Sequence, residues 1–152
     1  MRSIRLETVI AAPIGDCFDL SLSVDAHRAS MSQSGERAIG GITSGVMKLG
    51  DTVTWRARHF GIAFQMTSAI TGYEYPNRFV DEQQHGLFRR WWHEHTFIAM
   101  ADGATKMVDI VEFRSPCGLL GSAADHLVLD HYIARLLGQR NIWLKNTLEA
   151  RS

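Results

Sequence analysis

Polar and apolar positions alternate from the start of the chain. Ile4, Leu6, Thr8 and Ile10 fall on one face and Arg5 and Glu7 on the other, the period-two signature of a half-buried strand. Residues 11–13, Ala-Ala-Pro, end it, and Pro13 suits the opening of a helix, where a missing N–H has no helical partner to lose. Ile14, Cys17 and Phe18, with Ser21 or Leu22, then recur at helical spacing. A second helical turn is expected over residues 25–31 with Asp25 as its N-cap, and residues 32–35 form a turn-rich break.

A run of strands follows. Residues 36–40 read as a short strand and 41–50 as a glycine-bounded connection. Over residues 51–60, Val53, Trp55, Ala57 and His59 share a face, opposite Thr52, Thr54, Arg56 and Arg58. Gly61 turns the chain, and Ile62, Phe64, Met66, Ser68 and Ile70 share a face of the next strand. Residues 75–77, Tyr-Pro-Asn, make a turn before a strand over 78–84. His85-Gly86 and Asp102-Gly103 are hairpin signals that bound a long strand over 87–100, and the last strand covers 106–114. Ser115-Pro116 stops the sheet. From 121 to 149 the period becomes helical through Ala124, Leu127, Leu129 or His131, Ile133 or Ala134, Leu137, Ile142 and Leu148, with Gly138 its weak point.

Consecutive hairpins exclude a parallel sheet built from strand–helix–strand units. Helices segregated to the ends indicate an α+β domain over residues 1–152. A curved antiparallel sheet of about six to seven strands is expected to wrap a long C-terminal helix, with one or two short helices after the first strand. A helix of nearly thirty residues is about 40 Å long and must lie across the sheet, the only large partner available. One helix crossing a strongly curved sheet leaves space that few side chains fill, so a cavity of roughly 300–1,000 Å³ is expected there.

Composition narrows the class. Sixteen basic and sixteen acidic residues leave no formal net charge, which removes the overall attraction to phosphate that nucleic-acid binders use. No apolar stretch approaches the roughly 20 residues a membrane span needs, and the alternating N-terminus reads as a strand rather than a signal peptide. Cys17 and Cys117 fit no metal spacing and are expected to be reduced thiols in a cytoplasmic protein. Arg56, Arg58, Arg89 and Arg90 read as a solvated face, and His59 as a satisfied strand histidine.

The candidate chemistry lies on the long strand and its neighbours. Trp91, His93, His95 and Phe97 alternate onto one face, Phe79, Asp81 and Gln83 share a face of the preceding strand, and Met107, Asp109, Val111 and Phe113 share one of the following strand. If the apolar members point inward, two imidazoles, two carboxylates and one amide point inward with them and need partners. The leading reading is mutual hydrogen bonding across strands. A second has the four residues orient the polar end of a ligand or exchange a proton with it. A third is a metal, since His-x-His on a strand places two imidazoles on one face and Asp81 or Asp109 would complete a set. No further ligand spacing supports that third reading, so no metal or cofactor is expected. Trp55, Phe64, Met66, Phe79, Trp91, Phe97 and Leu127, with His93 and His95, are expected to line the cavity or support its lining.

Three stretches carry a resemblance to a known family: Gly50-Asp-Thr-Val-Thr-Trp-Arg-Ala-Arg-His-Phe-Gly61, Arg78-Phe-Val-Asp-Glu-Gln83 and Gly86-Leu-Phe-Arg-Arg-Trp-Trp-His-Glu-His-Thr-Phe97. With the element order, they resemble the START-like (SRPBCC) superfamily, most closely its bacterial cyclase/dehydrase-like proteins. Leu87 stands where that pattern has proline. The resemblance implies a helix-grip fold and a cavity for an apolar or aromatic, lipid- or polyketide-like molecule. A cyclase- or dehydratase-type activity using His93 or His95 with Asp81 or Asp109 is the alternative. The superfamily shares a fold rather than one reaction, so binding is the stronger implication.

Overall fold

The structure is a computed structural model that describes residues 1–115 and 123–151, with side chains of the second stretch from Leu127 onward. Expectations for Pro116, Cys117, the start of the long helix at 121 and the side chain of Ala124 fall outside the described residues. Strand β1 (Arg2–Ile10) leads into helices α1 (Ile14–Ser21) and α2 (Val24–Ser30) and a 3-10 turn (Ser32–Ser34). Strands β2 (Arg37–Gly41), β3 (Thr52–His59), β4 (Ile62–Glu74), β5 (Arg78–His85), β6 (Arg90–Ala99) and β7 (Thr105–Arg114) follow, then helix α3 (Ala123–Glu149). The seven strands form one sheet in the order β1-β7-β6-β5-β4-β3-β2, every neighbouring pair antiparallel.

The alternation read from the sequence sets the faces. Val53, Trp55 and Ala57 of β3 are buried while Arg56 and Arg58 are exposed, and His93, His95 and Phe97 of β6 are buried in the same way. Register slips between Ala38 and Gly40, between Thr67 and Ser68, and between Ile70 and Gly72 mark bulges, which bend a strand and increase its twist. Gly41 closes β2 at φ 68°, where a Cβ would lie 2.3 Å from the Thr52 carbonyl oxygen; only glycine fits. Phe60 and Gly61 both have positive φ, as two-residue hairpin turns of the I′ kind require.

Three expectations are corrected. Helix α2 is capped by Ser23, whose hydroxyl accepts the Ala26 N–H, while Asp25 instead accepts the Gly45 N–H at 2.9 Å. Strand β6 begins at Arg90 rather than 87, because the Gln83 side chain receives the Phe88 N–H and donates to the Phe88 carbonyl, holding that segment as a loop. The buried stripe of α3 runs through Ile133, Leu137, Arg140, Asn141, Leu144 and Leu148, which leaves Leu127 56% and Ile142 59% exposed. At 100° per residue Leu127 lies about 120° from Ile133 and cannot share its face.

Helix α3 is tied along β1: Arg2 pairs with Asp130, Lys145 donates to the Val9 carbonyl at 2.7 Å, and Glu149 accepts the Ala11 N–H at 2.9 Å. Two apolar clusters lie under it. One joins Phe18 and Cys17 of α1 to Ile10, Trp55, Phe79, Phe97, Met107, Leu144 and Leu148. The other joins Val111 and Phe113 to Ile133 and Leu137. Arg140 and Asn141 fall on α3 between the two, over the middle of the sheet.

Candidate functional site

A cavity of about 240 Å³ lies between the concave face of the sheet and α3. It is smaller than the range expected from the sequence, because aromatic side chains occupy much of the space that the curvature opens. Trp55, Phe64, Met66, Phe79, Trp91, His93 and His95 line it, as does Asp81. Phe97 stands behind the wall, 1% exposed and packed on Phe18 and Phe79, and Leu127 is outside on the exposed side of α3. Tyr132, Leu136 and Arg140 of α3, Leu22 after α1 and Val24 of α2 also line it; of these, Tyr132, Leu136 and Val24 carry no signal in the sequence that singles them out.

The polar cluster follows from strand register. Asp81 of β5 is directly opposite His93 of β6, and His95 of β6 is directly opposite Asp109 of β7. The hydrogen bonds run diagonally: His95 Nε2 to Asp81 Oδ2 at 2.9 Å, and His93 Nε2 to Asp109 Oδ1 at 2.9 Å. The directly opposed contacts are longer, 3.8 Å from His93 Nδ1 to Asp81 Oδ2 and 3.1 Å from His95 Nδ1 to Asp109 Oδ1. The second is close but misaligned, so the buried His95 Nδ1 has no hydrogen bond. The imidazoles stack with centroids 3.8 Å apart, each ring held between two carboxylates, and Phe79 stacks on the far side of His95 at 4.1 Å.

Helix α3 closes the cluster from above. Asn141 Nδ2 donates to Asp109 Oδ2 at 2.7 Å, and Arg140 donates to Asn141 Oδ1 at 3.0 Å with its guanidinium 3.6 Å from Asp109 Oδ1. Burial alone would raise the Asp109 carboxyl, but the hydrogen bond from His93 and the adjacent His95 hold it well below the usual carboxylate range. Burial opposes ionisation of Asp81 too, and its bond from His95, with the His93, His95 and Arg140 charges, outweighs that and lowers it. His93 is pushed down, first by burial and then by His95, more than Asp109 and Asp81 pull it up. The two carboxylates are therefore ionised and His93 is readily neutral. Asp109 and Asn141 are each nearly inaccessible, whereas Asp81 keeps 22% of its side-chain surface, on the cavity wall.

Arg140 and Asn141 are the residues that the sequence reading missed. The signal was two polar residues in phase with Ile133, Leu137, Leu144 and Leu148, a gap in an apolar stripe that only a buried polar partner explains.

At the other end of the cavity the β3–β4 hairpin tip meets α3. His59 Nδ1 and Tyr132 Oη are 2.7 Å apart, and Phe60 stacks on Tyr132 with centroids 4.6 Å apart. Burial pushes the His59 imidazole down, against an opposing pull from Glu36. A histidine lowered in the folded state stays neutral there while its unfolded counterpart takes up a proton. Stability is thus lost as pH falls from about 6.5, the unperturbed value, to the folded value. His59→Gln is expected to flatten that part of the Tm-against-pH curve relative to the unchanged protein. An identical curve would mean that His59 titrates as an exposed histidine.

Among the described residues, Asp81, His93 and His95 each offer one possible metal-ligand atom, all within 4.8 Å of one another. No helix among those residues is long and apolar enough to cross a membrane. Cys17 is a buried free thiol, pushed up by burial.

No family model matches the chain, and no curated protein matches it in sequence. Solved structures match its shape. The Zhui aromatase/cyclase from Streptomyces sp. R1128 superposes with a TM-score of 0.80 at 12% identity, covering 99% of this chain and 94% of its own. A START superfamily protein from Mycobacterium smegmatis gives 0.72 at 12% identity over 99% of both chains. Ginseng major latex-like protein 151 from Panax ginseng gives 0.66 at 12% identity over 97% of both. At that level of likeness the fold of this chain is the START-like helix-grip fold, with its long terminal helix over the antiparallel sheet.

Proposed function

We propose that the protein binds a small apolar or aromatic molecule in the cavity, with the molecule's polar end at Asp81 and Arg140. The observation that carries this reading is a chamber with mostly apolar walls that meets a carboxylate on its sheet side and a guanidinium on its helix side. A 150 Å³ apolar cavity accepts benzene. About 240 Å³ therefore suits a molecule of one or two rings. Asp81 is an acceptor and Arg140 a donor, so the favoured occupant carries both a hydroxyl and a carbonyl or second hydroxyl. That pattern is consistent with an aromatase/cyclase and a START superfamily protein among the structural neighbours.

2-Naphthol, which fluoresces and carries one hydroxyl, tests this against naphthalene. A hydrogen bond to a charged group is worth about 1.5–3 kcal/mol, so 2-naphthol is expected to bind roughly ten-fold or more tighter. Asp81→Leu should erase that preference. Ala57→Trp, which fills the chamber from β3, should weaken both probes at least ten-fold without lowering Tm by more than a few degrees. Equal binding of both probes by the unchanged protein, insensitive to Ala57→Trp, would refute the reading.

A second reading is favoured by the Asp81–His95 hydrogen bond in the cavity wall, a carboxylate–imidazole pair of the kind that moves protons. In that case the protein is a cyclase- or dehydratase-type enzyme. Solvent extraction and mass spectrometry of a co-purifying compound, before and after prolonged incubation, separate the two: an unchanged compound indicates a carrier, an altered one an enzyme.

A further inference from the structure

The two edges of the stacked imidazole pair differ in kind. One edge, His93 Nε2 and His95 Nδ1, faces Asp109, which is closed over by Asn141 and Arg140 and is 1% exposed. The other edge, His93 Nδ1 and His95 Nε2, faces Asp81 on the cavity wall. We infer that this open edge is a site for a divalent transition-metal ion of the zinc class, with His93 Nδ1, His95 Nε2 and Asp81 Oδ2 as ligands and the remaining position directed into the cavity.

Three independent features support it. Two imidazoles and one carboxylate with an open position are a common ligand set for such ions, whose bonds to nitrogen and oxygen are about 2.0–2.2 Å. Ligand atoms around a tetrahedral ion are then about 3.3–3.5 Å apart, by the geometry of those bond lengths. Here the Asp81 oxygen is 2.9 Å from one nitrogen and 3.8 Å from the other, values that bracket that spacing.

The second feature is the support behind the ligands. Metal-bound histidines almost always donate their other ring N–H to a carboxylate, and that carboxylate is itself hydrogen-bonded. Asp109 supplies this to His93 through the 2.9 Å bond, and Asn141 fixes Asp109 at 2.7 Å. The third is the unpartnered nitrogen. His95 Nε2 is bound to Asp81, and its buried Nδ1 has no hydrogen-bond partner although Asp109 Oδ1 is 3.1 Å away. A histidine that ligates an ion through Nε2 carries its ring N–H on Nδ1, and Asp109 Oδ1 lies 3.1 Å from that nitrogen, where a small tilt of the ring would complete the bond.

This inference goes beyond ligand binding and does not depend on it. The test adds zinc or cobalt ions alone to chelator-stripped protein. Calorimetry is expected to show one ion per chain, and cobalt should give the intense visible bands of a four-coordinate site. In the unchanged protein, histidine side-chain 15N spectra should show metal-induced shifts at two of the seven imidazoles. Asp81→Asn and His95→Gln should each weaken binding at least 100-fold, and Asp109→Asn by about 10–100-fold. His59→Ala, at the far end of the cavity, should leave it unchanged. Binding weaker than millimolar, or binding indifferent to Asp81 and His95, overturns the inference. So do shifts at His85 and His131 in place of His93 and His95. The spectra of the unchanged protein decide the matter even if a substituted chain does not fold. Metal-free binding of 2-naphthol is measured in parallel, so a failed metal site and a failed cavity give different results.

Discussion

Replacing Asp109 with alanine is expected to cost about 3–5 kcal/mol of stability, the usual consequence of removing one partner from a buried ionic group. Asp109 accepts from His93 and Asn141, and the Arg140 guanidinium lies 3.6 Å away. Its loss leaves a guanidinium that is 3% exposed facing imidazoles with no carboxylate between them. For a chain of this size each kcal/mol moves the melting temperature by about 2–4 °C, so a fall on the order of 10 °C is expected. Asp109→Asn should fall between the two proteins. It can still accept from Asn141 but presents an amide N–H to His93 unless its own rotamer or the imidazole tautomer changes. Thermal or urea melts read the result directly. A loss below about 1 kcal/mol would mean that water or rearrangement replaces the missing partner, contrary to a closed cluster.

Phe18→Ala is expected to be comparably damaging for a different reason. Phe18 is fully buried on α1, and its ring meets Tyr73, Tyr75, Phe79 and Phe97 edge-on at centroid distances of 5.1–5.5 Å. Truncating a buried phenylalanine costs about 3–5 kcal/mol, the lost transfer energy plus the cavity left behind. The four partners come from β4, the β4–β5 turn, β5 and β6 and cannot collapse together without moving the sheet. Phe60→Ala is the control: Phe60 is 67% exposed and, among the described residues, stacks on Tyr132 alone, so less than about 1 kcal/mol is expected. The slope of the urea transition should stay constant across both variants. Similar losses for Phe18→Ala and Phe60→Ala would show that the α1–sheet contact is not part of the cooperative core.

Much of this architecture is legible in the amino-acid sequence. Period-two alternation places Val53, Trp55 and Ala57 inward, and the same phase carries Asp81, His93, His95 and Asp109 inward with Phe79, Phe97 and Met107. A strand's side chains alternate with no drift, so one correctly assigned residue fixes the face of every other residue up to the next bulge. Element ends are less secure. The start of β6 depends on the Gln83 side chain gripping the Phe88 backbone, and the cap of α2 on which of two nearby side chains reaches the Ala26 N–H. Both are decided by competition among local hydrogen bonds that composition does not rank.

Helix α3 divides along the same line. Its existence and length follow from helical spacing over residues 121–149, but its phase does not. Apolar residues occur on more than one side of it, and Leu127 and Ile142 turn outward while Arg140 and Asn141 turn in. What selects that rotation is the pair of carboxylates on the sheet below. With Asp109 buried, the arrangement that covers it with an amide and a guanidinium is favoured over one that covers it with isoleucine. The sequence by itself therefore determined the strands, their inward faces and the presence of a covering helix, because those depend on local periodicity. The rotation of α3, the volume left beneath it and the diagonal pairing of each imidazole with a carboxylate two positions along were decided only in the tertiary structure. They depend on distances between elements that the chain's local pattern does not encode.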